Sequence, residues 1–425
     1  MQLMGFARRV VRAVSHTAVP AALLFLVSRA GAAPLPRNYA VESYDVSIAP
    51  DLAAKRLSGE DTIRFHSRIE RLDALEFDAG DLTIASVTDN QAPQWFERKG
   101  SLLIVVLGNP VRAGEHRSVS IRYQAGPGKG LQFFPDQVYT SSVTSDWMVC
   151  NDRPDEPATL RLRIHAPSLK VAATENLESP TPPFLYAFAA GAFEESTSET
   201  SGVKLRVLGH APVFEPAIAA MHFLAERTGR PYPGGSYTLV FAHGTVKQTA
   251  AGITLLPESY AADLSAHPEN LWLLAGEIAE QWYGVGILCK DWSDLWLSEG
   301  LAAFLADAFL EQRFGKPRYE QEVEIARKIY ETLKAEGQDR PLSFSDWETP
   351  QQAGGQVPVF KGAWFLAQLR RQMSDEAFWR GLRLYTSQFW GRSTVSVDFE
   401  KSMETAAGKL GSKNLAKFFE HWVAG

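Results

Sequence analysis

The 425-residue chain holds nine histidines, and none lies between His267 and His421. No two of them stand three to five residues apart, so no helix carries the pair of imidazoles that a helical metal motif needs. Asp and Glu are absent between Phe241 and Pro257, and Tyr is absent between Tyr330 and Tyr385. Only Cys150 and Cys289 occur; two cysteines in so long a chain exclude a disulfide framework and leave their pairing open. There is no low-complexity tract and no internal repeat. The net charge of −6 argues against nucleic acid as a partner.

What is present begins with a targeting pattern. Arg8, Arg9 and Arg12 precede the apolar run Thr17–Val27, and Ala30-Gly31-Ala32 offers a small-residue cleavage site. Residues 1–33 therefore read as a secretory signal peptide, with an uncleaved anchor as the alternative, and the apolar run is short for a membrane span. Its removal takes away four arginines and no acids, and moves the formal charge from −6 to −10. The expected location is periplasmic or secreted, with no membrane span after cleavage.

The stretch that organises the remainder is Leu271–Gly300. Leu271, Leu274, Ile278 and Trp282 recur at helical spacing, and Gly276, Glu277 and Glu280 share another side of that helix. Glu299 follows Glu280 after eighteen residues and is expected to start a second helix, Glu299–Phe314, striped by Leu301, Phe304, Leu305 and Ala308. Glycine inside a helix costs about 1 kcal/mol relative to alanine, so Gly276 suggests close packing or room for another side chain. The tryptophans 272, 282, 292 and 296 read as core.

This layout resembles the membrane alanyl aminopeptidase family of zinc metallopeptidases (peptidase family M one). There H-E-x-x-H is followed by Trp, and a Glu comes eighteen residues later inside a W-x-x-L-W-L-x-E-G-like phrase. Trp292-Ser293-Asp294-Leu295-Trp296-Leu297-Ser298-Glu299-Gly300 matches that phrase, and Trp147–Pro154 resembles the family's W-F-P-C-x-D-x-P. The spacing is kept and the chemistry is not. Gly276 and Glu280 stand where the two His ligands belong, Glu277 matches the general base, and Glu299 matches the third ligand. The family's amino-group-gripping Glu is replaced by Gln248 or Thr249, depending on register, beside Lys247. Its oxyanion-stabilising Tyr is replaced by Val359 ahead of Lys361-Gly362.

The resemblance implies an α+β chain: an N-terminal β-sandwich-like domain at 37–200, then a thermolysin-like, mostly α-helical peptidase domain at 201–425, without the family's C-terminal helical domain. Alternation at Tyr44, Val46 and Ile48, and at Val119, Ile121 and Tyr123, supports strands in the first part. Helices are expected at Glu215–Thr228, Arg318–Ala335, Gly362–Met373, Asp375–Phe389 and Val397–Ala407.

Two functional readings follow. One is a secreted pseudo-peptidase that holds a peptide or protein ligand in the inherited cleft and needs no cofactor. The other is an active metallopeptidase with Glu277 as base and a carboxylate-based metal set including Glu280 and Glu299. Resemblance implies zinc; an all-carboxylate set suits a hard divalent cation instead. Paired or proton-sharing carboxylates, with Lys247 or Lys290 as counter-ion, would need no metal. The sequence leaves the oligomeric state open.

Overall fold

Period-two alternation builds the first half of the chain. In Tyr39–Asp51 the residues Tyr44, Val46 and Ile48 are all buried, and Ile63 and Phe65 in Arg56–Ser67 are buried behind them. These two strands pair antiparallel at the centre of a seven-stranded sheet. Its order is Leu177–Thr181, Ala158–Ile164, Tyr39–Asp51, Arg56–Ser67, His116–Ala125, Thr83–Asp89 and Ala92–Pro93. A three-stranded sheet (Leu72–Asp78, Leu102–Val111, Trp95–Lys99) shares its core through Leu75, Phe77, Leu103 and Val105, the two-layer arrangement that the alternation predicts. The computed structural model describes residues 37–174, 176–345, 347, 355–408 and 415–424; the expected signal peptide lies outside the described residues.

The phrase Trp147–Cys150 is fully buried in that core. Cys150 and Cys289 are both buried and free. A four-stranded sheet of Leu131–Phe133, Gln137–Thr140, Lys170–Ala173 and Phe188–Gly191 carries the chain toward the second half. There a mixed five-stranded sheet runs Glu195–Thr200, Val203–Leu208, Ser236–Ala242, Ile253–Pro257 and Gln248–Ala250, which leaves Gln248–Ala250 on the edge. Its first two strands form the hairpin Glu195–Leu208.

Helices follow at Phe214–Thr228, Glu258–Ala266, Trp272–Ala279, Trp296–Phe314, Lys316–Ala335, Gly362–Met373, Asp375–Phe389 and Ser396–Ala407. The Trp296–Phe314 helix is the hub, with most of its residues buried. It begins a turn before the expected start at Glu299. The Asp291 side chain accepts a hydrogen bond from the Ser293 N–H, and this caps a 3₁₀ turn that leads straight into the helix. Among the described residues no helix is long and apolar enough to cross a membrane.

One buried acid bears on stability. Asp61 accepts from the Val149 N–H at 2.7 Å and contacts the Tyr123 hydroxyl at 2.9 Å. Burial pushes its carboxyl up to about 8. The folded state therefore holds a proton that the unfolded chain releases at its ordinary value of 3.8. The stability due to that proton is fully present below pH 3.8 and is lost as the pH rises toward about 8. An amide can make both hydrogen bonds without ionising. Asp61→Asn is expected to flatten this loss, so that urea denaturation shows a larger gain over wild type at pH 8 than at pH 4.5.

Candidate functional site

Three elements converge on the site. The Trp272–Ala279 helix presents Glu277, which is 1% exposed, and ends on Glu280. The Trp296–Phe314 helix brings Glu299. The edge strand Gln248–Ala250, with Lys247 just before it, closes the third side. Together they line a cleft of about 200 Å³, whose apolar wall is Phe184, Leu185 and Leu295.

The strand and the first helix are stitched by Gln281, whose amide donates to the Ala250 carbonyl at 2.9 Å and accepts from the Gly252 N–H at 3.1 Å. Sequence reasoning passed over Gln281; its only signal is a polar residue between Ile278 and Trp282 on an apolar helix. Period two then turns Thr249 toward the carboxylates and Gln248 the other way. The Thr249 hydroxyl donates to Glu277 Oε2 at 2.8 Å. Behind it, Thr254 lies 3.0 Å from Thr249, and Tyr237 lies 2.8 Å from Thr254. Because the carboxylate only accepts, donation runs from Tyr237 through Thr254 and Thr249 to Glu277. Gln248, with its amide oriented to satisfy both ends, donates to the Thr140 carbonyl at 2.8 Å and accepts from the Ser142 N–H at 3.2 Å.

Lys247 supplies the charge balance. Its ammonium lies 3.0 Å from Glu277 Oε1, an ion pair made without hydrogen-bond geometry. Attraction to Glu277, Glu299 and Glu280 holds the ammonium well above its ordinary value, against the cost of burial. The lysine side chain as a whole is 48% exposed. Burial, then the charges of Glu277 and Glu299, push Glu280 well above the usual carboxylate range, and Lys247 only partly offsets them. Burial raises Glu299 too, with Lys247 pulling it down and Glu277 pushing it up. Of the two expected counter-ions, Lys247 is the one that reaches the carboxylates.

Val359 lies in the π-helical turn Val357–Lys361 and offers no donor. Lys361 beside it is 5% exposed and donates to Asp339 Oδ1 at 2.8 Å and to the Arg340 carbonyl. The tryptophans are core: Trp282 donates to the Arg230 carbonyl, Trp296 to Ser396 Oγ and Trp272 to Asp307 Oδ1, and Trp292 is buried.

The residues present do not fit zinc. The donors are three carboxylates without an imidazole, and an ammonium already stands against Glu277. Among the described residues one group of three metal-capable side chains brings its ligand atoms within 4.8 Å of one another, and it lies outside this cleft.

The sequence profile described as "Peptidase family M1 domain" matches residues 216–422, which span the helix, edge strand and hub described above. Residues 216–422 are a peptidase family M1 domain. Aminopeptidase N of Canis lupus familiaris is 20% identical over 90% of this chain and 47% of its own length. Probable aminopeptidase 1 of Sulfurisphaera tokodaii is 26% identical over 56% of this chain and 32% of its own length. The chain thus spans about half or less of these curated relatives. Among solved structures, the M1 zinc metallopeptidase from Deinococcus radiodurans superposes with a TM-score of 0.73 at 22% identity, covering 90% of this chain and 94% of that one. Native yeast LTA4 hydrolase gives 0.76 at 18%, covering 91% and 68%. At such identities the likeness establishes the fold: an N-terminal β-rich part and a helical peptidase part.

Two M1-phrase glycines behave differently from Gly276. A Cβ on Gly300 would lie 3.0 Å from Gly362 Cα, and one on Gly362 would lie 2.8 Å from Gly300 Cα, so the two backbones touch. At Gly276 the nearest atoms would be Ala306 Cβ at 3.9 Å and the Ala302 carbonyl at 4.0 Å, ordinary contacts. Neither a closely packed backbone nor another side chain therefore takes the place of a Cβ at Gly276. Gly276→Ala is expected to stabilise the protein by about 1 kcal/mol, whereas Gly300→Ala costs about 1–3 kcal/mol through overpacking. Denaturant midpoints of the two variants, moving in opposite directions, check this.

Proposed function

We propose that this protein is a secreted or periplasmic, non-catalytic member of family M1 that holds a peptide or protein segment in the cleft. The observation that carries the reading is the ammonium of Lys247 at 3.0 Å from Glu277 Oε1. A general base needs a lone pair free to take a proton from water. Here Oε1 faces a cation and Oε2 accepts from Thr249. Without metal activation, water keeps a pKa of about 15.7 instead of about 7. Val359 supplies no oxyanion donor, and losing one such donor typically costs about 10²–10³ in rate.

The same residues shape what the cleft accepts. Gln248 is neutral and already bonded to Thr140 and Ser142, so it offers a substrate ammonium no charge-assisted bond. Lys247 repels one. The wall of Phe184, Leu185 and Leu295 suits an apolar side chain. A strand at the edge of its sheet suits an extended backbone laid alongside it.

Two outcomes are expected. Alanyl and leucyl amides should be turned over no faster by the purified protein than by Glu277→Gln; turnover that disappears in Glu277→Gln would overturn the reading and favour a rearranged carboxylate metal set. In fluorescence titrations, N-acetylated and free-amine forms of one apolar peptide should bind within about threefold of each other. A tenfold preference for the free amine would show that an acid of the cleft still grips the amino group.

A further inference from the structure

We infer a divalent transition-metal site, best suited to zinc, on the outer face of the N-terminal seven-stranded sheet, formed by Glu42, His66 and His116. The two histidines sit directly opposite each other on the antiparallel strands Arg56–Ser67 and His116–Ala125, a cross-strand pair fifty residues apart in sequence. Both turn Nδ1 to the same oxygen: His66 lies 2.9 Å and His116 2.7 Å from Glu42 Oε1. A ligand atom from each of the three residues lies within 4.8 Å of the others.

The third ligand is aimed by a backbone irregularity. The pairing of Tyr39–Asp51 with Arg56–Ser67 steps from Val41↔Phe65 to Ser43↔Arg64, so Glu42 is the extra residue of a β-bulge. Val41 and Tyr44 on either side are buried, and the bulge fits two successive partly exposed residues between them. That extra residue swings the carboxylate over the neighbouring histidine pair.

The chemistry selects the ion. Two imidazoles and one carboxylate form a borderline donor set that suits zinc rather than calcium or magnesium. Tetrahedral zinc with bonds of about 2.0–2.1 Å holds its ligand atoms about 3.3 Å apart, so a small outward relaxation of the three atoms accommodates it. The histidine side chains are 34% and 52% exposed, which leaves a fourth position open to water. Arg64 Nε donates to Glu42 Oε2 at 2.9 Å and leaves Oε1, the oxygen that faces both imidazoles, to the metal. Bound there, an ion would tie together three adjacent strands at the sheet's centre. This site is independent of the cleft and of the functional reading above.

Calorimetric titration of the untagged full chain with zinc chloride at pH 7.5, with metal content read by mass spectrometry, tests it. One zinc per chain is expected, together with a rise in melting temperature. His116→Ala and Glu42→Gln should each weaken binding at least tenfold and abolish that rise, while Glu299→Ala leaves both unchanged. His116 is half-exposed, so its variant should keep the wild-type circular dichroism in the absence of metal. Absence of stoichiometric zinc, or zinc binding that survives His116→Ala, would overturn the proposal. Zinc lost on Glu299→Ala but kept in His116→Ala would move the ion to the cleft and overturn both this site and the non-catalytic reading.

Discussion

Three carboxylates crowd one cleft, and such a group persists only if a cation or a proton balances it. The ammonium of Lys247 supplies one charge, while burial and the neighbouring carboxylates raise the proton affinity of Glu280 and Glu299. The geometry of the edge strand follows from this need. Lys247 reaches Glu277 because the strand after it is held against the helix by Gln281, and Thr249 donates to Glu277 Oε2 from the same strand. Only the lysine side of the pair is exposed, and the pair acts directly on the chemistry: it engages the very atom that would have to act as a base.

The second constraint is backbone contact. Where Gly300 meets Gly362 the hub helix and the helix after Lys361 approach closer than any side chain allows. Lys361 locks the same junction from its other side through Asp339 and Arg340. These contacts hold the start of the hub helix, and with it Glu299, against the helix that follows Lys361.

Much of this was legible in the sequence. Gly362–Met373 and Asp375–Phe389 start and stop where the pattern places them, because Ser374 interrupts the two helical repeats and its side chain accepts from the Ala377 N–H. The start of the hub helix was not legible, since its cap, Asp291, acts through a 3₁₀ turn whose sequence resembles a loop. The site divided in the same way. Glu277, Glu280 and Glu299 could be gathered from spacing along two helices, and Lys247 could be named as a counter-ion from its sign. Which of Gln248 and Thr249 faces the carboxylates could not be read, because a register uncertain by one residue exchanges the two faces of a strand. The juxtaposition of His66 with His116 depends on strand pairing across a long separation, which carries no local signal.

The residues that match the M1 phrases and those that depart from them differ in what they hold up. Trp282, Asp294, Trp296, Gly300, Lys361 and Gly362 each bond or pack to a distant element: Trp282 to the Arg230 carbonyl, Asp294 and Trp296 to Ser396, Lys361 to Asp339, and the glycines to each other. Removing any one of them leaves a buried group unpaired or a helix junction overfilled, at a cost of about 1–3 kcal/mol each. Glu280 lines the cleft instead, and a Cβ at Gly276 would make only ordinary contacts. Fold and chemistry are therefore separable within a single stretch of thirty residues. The spacing shared with the M1 phrases also positions a helix junction, which is held by backbone packing and by the hydrogen bonds of Lys361. Lys247 then satisfies the remaining acids from within the chain, which is why the cleft can keep its shape with no imidazole in it.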